Sequence, residues 1–398
     1  MRNSIDRLND MIFAPASLRI TMPVILLLAA GILVVMSASS EYSQAYHGVP
    51  FYFLLKQGIL TLLGIILLLV SASMPINFWR ERSSTLLLLN LILMLLIFMP
   101  ILGKEVNYST RWLSLGVFNL QPSELLKISV PLFYAQYLSK DSQDRVNDFR
   151  LGPKLIVPLG MIAFIDLLLL LQPDFATAAI YTMAVVGLIF FAGLRLRYLF
   201  FSGFALLAMA FSLVAAQPYR LNRLACLIDE NLWERFYEQC YQVGNSLVAI
   251  ERGGLWGLGL GSSIQKNFYL PESYTDFVFA IIVEELGLVS GVLLICVFVY
   301  LIYSLLRLAL DALHKGSLFI AYFCAGVATI WGLQFVCNIG VSLSLLPVTG
   351  LTLPFISYGG SSLMSNLILV GIIVKMSHQV YSENYDEESS KLSAEMAQ

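Results

Sequence analysis

Long runs of apolar residues without a single charge recur along the chain and predict membrane-spanning helices. A helix that crosses the hydrocarbon core of a bilayer needs about 20 mostly apolar residues. Five charge-free runs meet this requirement, at 20–40, 57–79, 83–103, 175–194 and 198–219. Each of these runs predicts one crossing of the membrane.

Five further crossings are predicted where the pattern is interrupted. Three apolar segments contain internal charges, at 122–139, 155–173 and 277–306. The charge-free run that follows is too long for one helix, and its prolines and glycines divide it into spans near 318–340 and 356–374. The sequence therefore predicts an all-α, polytopic membrane protein with ten transmembrane helices.

The lysines and arginines between the spans predict the orientation, because cytoplasmic loops carry an excess of them. With a cytoplasmic N-terminus, fifteen lie inside and seven outside, and five of those seven belong to one long loop, 217–276. Both termini are then cytoplasmic and the large loop is extracytoplasmic. We expect a single membrane domain over 1–377 and a polar, disordered cytoplasmic tail over 378–398.

Composition agrees with a membrane protein and excludes several other classes. Charged residues make up 13% of the chain, with a mean hydropathy of +0.78, whereas soluble domains are about 25% charged. No basic run suggests nucleic acid, and the three histidines lie too far apart to predict a metal site. Five cysteines are too few for a disulfide scaffold, and a Cys226–Cys240 bridge in the outer loop is as well supported as two free thiols.

Ionisable residues inside spans are costly and often functional. Glu124 and Lys127 are three residues apart, so a helix places them on one face, where they form either a functional pair or a purely structural one. Asp174 follows a Gln-Pro turn and is interpreted as the cap of the next helix. Glu284 and Glu285 lie within the eighth span and require a partner that the sequence does not identify.

Asp276 stands where the large loop meets the eighth span. Pro271 suits the first turn of a helix, which would place Glu272 and Asp276 on one helical face. A partly desolvated carboxylate at the membrane rim suits a general base, and an interfacial cap is the alternative. The preceding glycine-rich stretch, 253–261, is typical of a tight loop and also of a phosphate cradle.

Several strings resemble, in the right order along the whole chain, the signatures of the SEDS family (shape, elongation, division and sporulation). They are Arg111-Trp112, QPSELLK at 121–127, QPDF at 172–175, the stretch 246–287, NIG at 338–340 and LPFISYGGSS at 353–362. The chain departs from the family at Ala176, where glycine is usual, and at Ser273-Tyr274, where Ala-His is usual. The segments around 265–272 and 350–354 are more similar to the division branch than to the elongation branch.

The resemblance implies a peptidoglycan glycosyltransferase that polymerises lipid II at the outer face of the bacterial cytoplasmic membrane, at the division septum. It implies an inverting reaction with Asp276 as general base, supported by Lys127 and Glu124. The residues that it implies for substrate binding are Arg111, Glu272, Gln265, Lys266 and Ser357. The departing pyrophosphate needs positive charge, and the resemblance leaves three sources for it: Lys127, Arg111 or a divalent cation (Mg²⁺ or Mn²⁺), for which no metal ligands are predicted from the sequence.

The expected partners are a class B penicillin-binding protein that supplies the transpeptidase and other division proteins. Two other functions stay open. A lipid II flippase has a similar composition but needs a polar path through both leaflets, and a scaffold would keep its function without Asp276. An elongation-type polymerase is a further alternative within the family.

Overall fold

The computed structural model describes residues 11–140, apart from 13, 101, 107, 108, 115, 117 and 118, together with 156–193 and 240–396. The seventh predicted span, 198–219, the part of the loop 217–276 that precedes residue 240, and Cys226 lie outside the described residues. Cys240 is disulfide-bonded, and Cys296, Cys324 and Cys337 are free thiols.

The described residues form eleven helices and one small sheet. The helices are α1 (Pro15–Ala38), α2 (Ser40–His47), α3 (Tyr52–Ser73), α4 (Ile76–Leu96), α5 (Pro122–Lys140), α6 (Ile156–Leu171), α7 (Phe175–Phe191), α8 (Tyr241–Gly253), α9 (Val278–His314), α10 (Leu318–Ser342) and α11 (Gly360–Met396). In the described part of the chain, five of these helices are long and apolar enough to cross a membrane, and α6 and α7 are shorter apolar helices. This architecture confirms the predicted class of polytopic helical membrane protein, and the count of ten spans stays a prediction.

Nine of the ten predicted spans fall largely within the described residues, and each overlaps a helix, but several boundaries were wrong. The predicted span 57–79 corresponds to α3, and the predicted span 83–103 corresponds to α4. These two helices begin five and seven residues earlier than predicted and include charged residues such as Lys56 and Arg80. The long stems of these side chains let them reach the interface from within a helix. A charge-free run therefore marks the hydrocarbon core and not the helix ends.

The centre of the bundle is α10, which packs against α5, α7, α9 and α11. Its fully buried Trp331 donates a hydrogen bond from Nε1 to Asn366 Oδ1 of α11, at 2.9 Å. On the other side α11 approaches α3 closely: a Cβ atom on Gly371 would lie 2.1 Å from Ser71 Oγ. Small residues permit such close helix contacts in membranes, where packing replaces the hydrophobic effect as the driving force.

A three-stranded antiparallel sheet lies between α4 and α5 and was not predicted. Its strands are β1 (Gly103–Val106), β2 (Ser109–Ser114) and β3 (Asn119–Leu120). β2 is central and pairs Lys104 with Trp112 on one side and Leu113 with Leu120 on the other. Strands this short have no readable alternation of polar and apolar residues. The sheet nevertheless matters for the site because β2 carries Arg111.

The eighth predicted span, 277–306, is not one continuous helix, because α9 breaks at Gly287 with φ 84° and ψ 170°. Phe279 and Gly291 are twelve residues apart, and twelve residues of unbroken helix rise about 18 Å. A Cβ atom on Gly291 would nevertheless lie only 3.3 Å from Phe279 Cζ. Residues 278–286 therefore bend sharply back towards the helix that follows. The glycine-rich loop fills the break: Leu258 N–H donates to Glu284 O, and Leu288 N–H donates to Gly254 O, both at 2.9 Å.

We expect Gly287→Ala to destabilise the protein. Its φ of 84° is left-handed, and an added Cβ would lie 2.3 Å from Leu255 O. Left-handed backbone at a non-glycine residue costs about 1–3 kcal/mol, and the collision with a backbone oxygen adds to this cost. The melting temperature in detergent should fall clearly. Gly332→Ala is the control, since an added Cβ there meets nothing within 4 Å, and equal melting temperatures for the two variants would contradict a break at Gly287.

The tail predicted to be disordered is instead helical, because α11 continues from the membrane as far as Met396. The sequence after Gly371 contains neither glycine nor proline, the two residues least compatible with a helix interior, and four of its residues are glutamate, which favours helices. The packed part of α11 supplies the nucleus that an isolated helix of this length would lack.

Candidate functional site

The main chain at Asp276 and at the two residues before it is held in place by hydrogen bonds from other parts of the fold. The carbonyls of residues 274–276 accept hydrogen bonds, in order, from Tyr358 N–H at 3.0 Å, Ser357 Oγ at 2.5 Å and Asn338 Nδ2 at 2.9 Å. Two of these donors belong to the segment 343–359, which connects α10 to α11, and the third lies on α10. The framework of the bundle therefore fixes the position from which the Asp276 side chain projects.

The carboxylate of Asp276 is half-buried and lies against the 343–359 segment. A Cβ atom on Gly350 would be 3.7 Å from Asp276 Oδ2. The prediction that Pro271 begins a helix is wrong, because residues 271–276 form turns and Glu272 has a left-handed φ of 55°. Glu272 is exposed, and its carboxylate accepts a hydrogen bond from Thr275 Oγ1 at 2.8 Å.

An aromatic cluster surrounds Tyr274, the residue that replaces the histidine of the SEDS signature. Its ring centre lies 5.5 Å from Tyr42, 5.2 Å from Phe53 and 5.9 Å from Tyr358. Burial raises the pKa of the Tyr274 phenol, and the nearby Glu272 raises it further, so this phenol stays neutral. The cluster was not predicted, although the density of aromatic residues in 42–53 was a readable signal.

Glu124 and Lys127 form the predicted ion pair. The Lys127 side chain is 1% exposed and that of Glu124 13%. Lys127 Nζ also donates to Ser362 Oγ at 3.0 Å, and that oxygen lies 3.1 Å from Thr352 Oγ1. The ion pair is therefore connected to the 343–359 segment.

The same segment connects the ion pair with Asp276. Asn338 Nδ2, which binds the Asp276 carbonyl, donates a second hydrogen bond to Leu351 O at 2.8 Å. Leu351 and Thr352 are consecutive residues, so one short piece of chain contacts both groups. In the sequence Asn338 belongs to the NIG string, which does not predict this role. Its partners, the carbonyls of Asp276 and Leu351, lie 62 and 13 residues away along the chain.

Arg111 lies across the turn between α6 and α7. Its guanidinium donates to Gln172 O at 3.2 Å and to Pro173 O at 2.5 Å, and it lies 3.6 Å from Asp174 Oδ1. Asp174 occupies the N-cap position of α7, but its side chain makes none of the capping hydrogen bonds that were predicted, and its ion pair with Arg111 was not predicted. Burial raises the pKa of the Asp174 carboxyl, while Arg111 and Thr177 act in the opposite direction.

The side-chain partners of Glu284 and Glu285 lie at residues 263–266, in the loop that follows the glycine-rich stretch, and at Ser37 of α1. Glu284 accepts hydrogen bonds from Ser263 Oγ and from the amides of Ile264 and Gln265. Glu285 accepts one from Ser37 Oγ at 2.6 Å and pairs with Lys266 Nζ at 3.1 Å. Both glutamates therefore fasten the loop at the break in α9.

Two residues of that loop are placed differently from the other predicted substrate-binding residues. Gln265 and Lys266 are 4% and 7% exposed, and Lys266 Nζ also donates to Gly261 O at 2.7 Å. Their side chains face the protein interior. The structure thus brings Asp276, the exposed Glu272 and the buried Ser357 close together. Lys127 and Glu124 contact the 343–359 segment from the other side of Thr352.

Magnesium is usually bound through one or two carboxylates together with phosphate oxygens of the substrate. In the described ranges no group of three or more histidine, cysteine, aspartate or glutamate residues gathers that could hold a metal ion. A cation held jointly with a pyrophosphate does not need such a cluster. The exposed carboxylate of Glu272, beside Asp276, is a hard oxygen donor of the right kind, so the residues present fit such an ion.

Comparison with known proteins gives consistent matches over most of the chain. The family model of FtsW, RodA and SpoVE, described as cell cycle protein, matches residues 18–382. A protein of Coxiella burnetii named probable peptidoglycan glycosyltransferase FtsW is 40% identical over 354 residues, which are 89% of this chain and 94% of that protein. Its namesake in Legionella pneumophila is 37% identical over 354 residues, covering 89% and 88% of the two chains.

Two solved structures resemble the whole fold. One comes from work on the structural coordination of polymerization and crosslinking by a peptidoglycan synthase complex; it has a TM-score of 0.72 at 28% identity and covers 91% of this chain and 97% of that chain. The other is the rod shape determining protein RodA of Thermus thermophilus, with a TM-score of 0.66 at 27% identity, covering 93% and 99% of the chains.

Proposed function

The chain belongs to the SEDS family of FtsW, RodA and SpoVE, and we propose that it polymerises lipid II with Asp276 as the general base. It is a peptidoglycan glycosyltransferase of the type that acts in septal cell-wall synthesis. The observation that carries the assignment of the base is the fixed backbone of 274–276, since a base must be held within hydrogen-bond reach of the proton that it abstracts.

The reaction joins two lipid-linked sugars. The 4-hydroxyl of the acceptor sugar attacks the anomeric carbon of the donor, its proton passes to the Asp276 carboxylate, and the bond to the pyrophosphate lipid breaks. The electron pair of that bond leaves with the pyrophosphate. A single displacement converts an α-linked phosphate into a β1→4 bond. A covalent intermediate on Asp276 would instead retain the configuration and does not suit the product.

Positive charge must stabilise the departing pyrophosphate. Arg111 is the cation proposed to contact it, because its side chain is 25% exposed. Lys127 is buried and acts as a positioning residue. Glu124 orients its ammonium group, which is connected to the site by the hydrogen bonds of Ser362 and Thr352. Gln265 and Lys266 support the loop, and Ser357 fixes the main chain beside Asp276.

A divalent cation, Mg²⁺ or Mn²⁺, is proposed to assist at the pyrophosphate, held by Glu272 together with phosphate oxygens of the substrate. Such an ion supplies positive charge to the leaving group when it is bound. Glu272 suits this task because it is exposed and next to the proposed base.

The proposed partners are a class B penicillin-binding protein and other division proteins. The similarity to a chain from a peptidoglycan synthase complex in which polymerization and crosslinking are coordinated supports a crosslinking partner. The proposed location is the cytoplasmic membrane at the division septum.

The decisive experiment is polymerisation of purified lipid II by the purified protein, with and without the transpeptidase. We expect glycan strands. Transfer of intact lipid II between leaflets of a vesicle, without strands, would instead support the flippase. An elongation-type polymerase would complement loss of elongation and not loss of division in cells.

The proposed topology has both termini in the cytoplasm and the glycine-rich loop outside. Ser262 and Arg82 are both exposed, but they lie in segments predicted to face opposite sides. An impermeant thiol reagent added to intact spheroplasts should label Ser262→Cys and leave Arg82→Cys at the background of the parent protein. Labelling of Arg82→Cys alone would reverse the orientation.

A further inference from the structure

A cavity of about 270 Å³ lies at the end of the bundle remote from Asp276, where α1, α9 and α11 meet. Its polar lining consists of Arg19, Tyr300, Tyr303, Ser304, Arg307, Ser377 and Tyr381. None of these residues has a part in the proposed reaction. The cavity opens at the cytoplasmic rim of the proposed topology.

Positive charge predominates in this cavity. Arg19 and Arg307 are both exposed, and Arg307 Nη1 donates to Tyr303 Oη at 3.3 Å. The carboxylate of Asp311 accepts a hydrogen bond from Tyr381 Oη at 2.5 Å. Among the side chains that the structure describes here, one acidic group therefore accompanies two guanidinium groups, and this balance favours an anion.

The cavity also contains a polar atom whose hydrogen-bonding capacity is unused. Ser377 is 0% exposed, and its Oγ makes no hydrogen bond within the described residues. Burying a hydroxyl without a partner costs free energy. An acceptor oxygen bound in the cavity would accept a hydrogen bond from this hydroxyl. A purely structural role of the two arginines does not explain why the hydroxyl is buried without a partner.

An apolar groove of about 410 Å³ continues from the cavity between α1 and α9. The two share Arg19 and Tyr300, and the groove is lined further by Met22, Pro23, Leu26, Cys296 and Val297. Leu26 is seven residues along the helix from Arg19, which corresponds to about 10 Å of depth. The groove therefore extends from the positively charged cavity at Arg19 into the hydrocarbon region of the membrane.

We propose that this cavity and groove bind one anionic phospholipid of the cytoplasmic leaflet. The phosphate would lie between Arg19 and Arg307, with Ser377 donating to one of its oxygens, and an acyl chain would occupy the groove beside Leu26. The cytoplasmic leaflet carries anionic lipids, and basic pockets between helices on that side suit their head groups.

Native mass spectrometry of the full-length protein, delipidated and then titrated with lipid, tests this site without requiring polymerase activity. Phosphatidylglycerol, with a net charge of −1, should bind at least about tenfold more tightly than zwitterionic phosphatidylcholine with the same chains, because the choline ammonium of the latter places a positive charge near the two guanidinium groups. The double variant Arg19→Gln/Arg307→Gln should lose this preference. Arg80→Gln/Arg82→Gln, an equal change of charge at two exposed residues outside the cavity, should keep it.

Two further arms distinguish the lipid from a free phosphate. Leu26→Trp fills the groove and should weaken phosphatidylglycerol binding even if the double variant fails to fold. Glycerol 1-phosphate, which has the head but no tail, should not displace the lipid at equal concentration. Equal binding of the two lipids, full binding to the folded double variant or to Leu26→Trp, or displacement by glycerol 1-phosphate would each overturn the proposal.

Discussion

Asp276→Asn is expected to lower the rate of lipid II polymerisation by about 10²–10⁴-fold, the usual contribution of a general base. Asparagine preserves the size of the side chain but cannot accept the proton of the attacking hydroxyl. The backbone hydrogen bonds to Tyr358, Ser357 and Asn338 do not involve the carboxylate, so the variant should fold normally. Single-turnover polymerisation, measured together with lipid II affinity, should show lost turnover and nearly unchanged binding.

Glu41→Gln is the matched control, because it makes the same chemical change at an exposed residue of α2 on the same side of the protein. It should polymerise at the parental rate. Glu272→Gln is expected to weaken the response to added Mg²⁺ or Mn²⁺ without abolishing the reaction. If Asp276→Asn polymerised lipid II at the parental rate, Asp276 would not be the general base, and Glu272 would be tested next for that role.

Local patterns predicted the spans well because the bilayer imposes the same length and polarity on every helix that crosses it. The helix ends of α3 and α4, the small sheet and the break at Gly287 escaped prediction. Each of these depends on contacts across the fold, such as the pairing of Leu258 with Glu284. A hydropathy pattern contains no information about such pairings.

The candidate site shows the same limit. Charge and position pointed to Asp276 and to the Glu124–Lys127 pair, because ionisable groups near a membrane interior are unusual in any sequence. The element that links them is the 343–359 segment, whose residues are mostly uncharged. Its role arises from hydrogen bonds to Asn338 and Ser362, which no spacing rule predicts.

Lys127→Ala should both destabilise the protein and lower its activity. Removing one partner of a buried ion pair typically costs about 3–5 kcal/mol, and Lys127 is 1% exposed beside Glu124. The melting temperature should fall for that reason. Lys140→Ala, at the exposed cytoplasmic end of the same helix, should leave both the melting temperature and the rate unchanged.

The double variant Glu124→Gln/Lys127→Met separates the two effects. It removes both charges together, so no unpaired charge stays buried, and replacing a buried pair by groups of similar volume is often neutral for stability. Its melting temperature should return towards that of the parent. If the positive charge of Lys127 assists the departing pyrophosphate, the rate should stay about 10²–10³-fold low, the range for loss of an electrostatic group. A stable double variant that polymerises lipid II at the parental rate would show that the pair only holds the helices together, and the positive charge at the leaving group would then come from Arg111 and the proposed divalent cation.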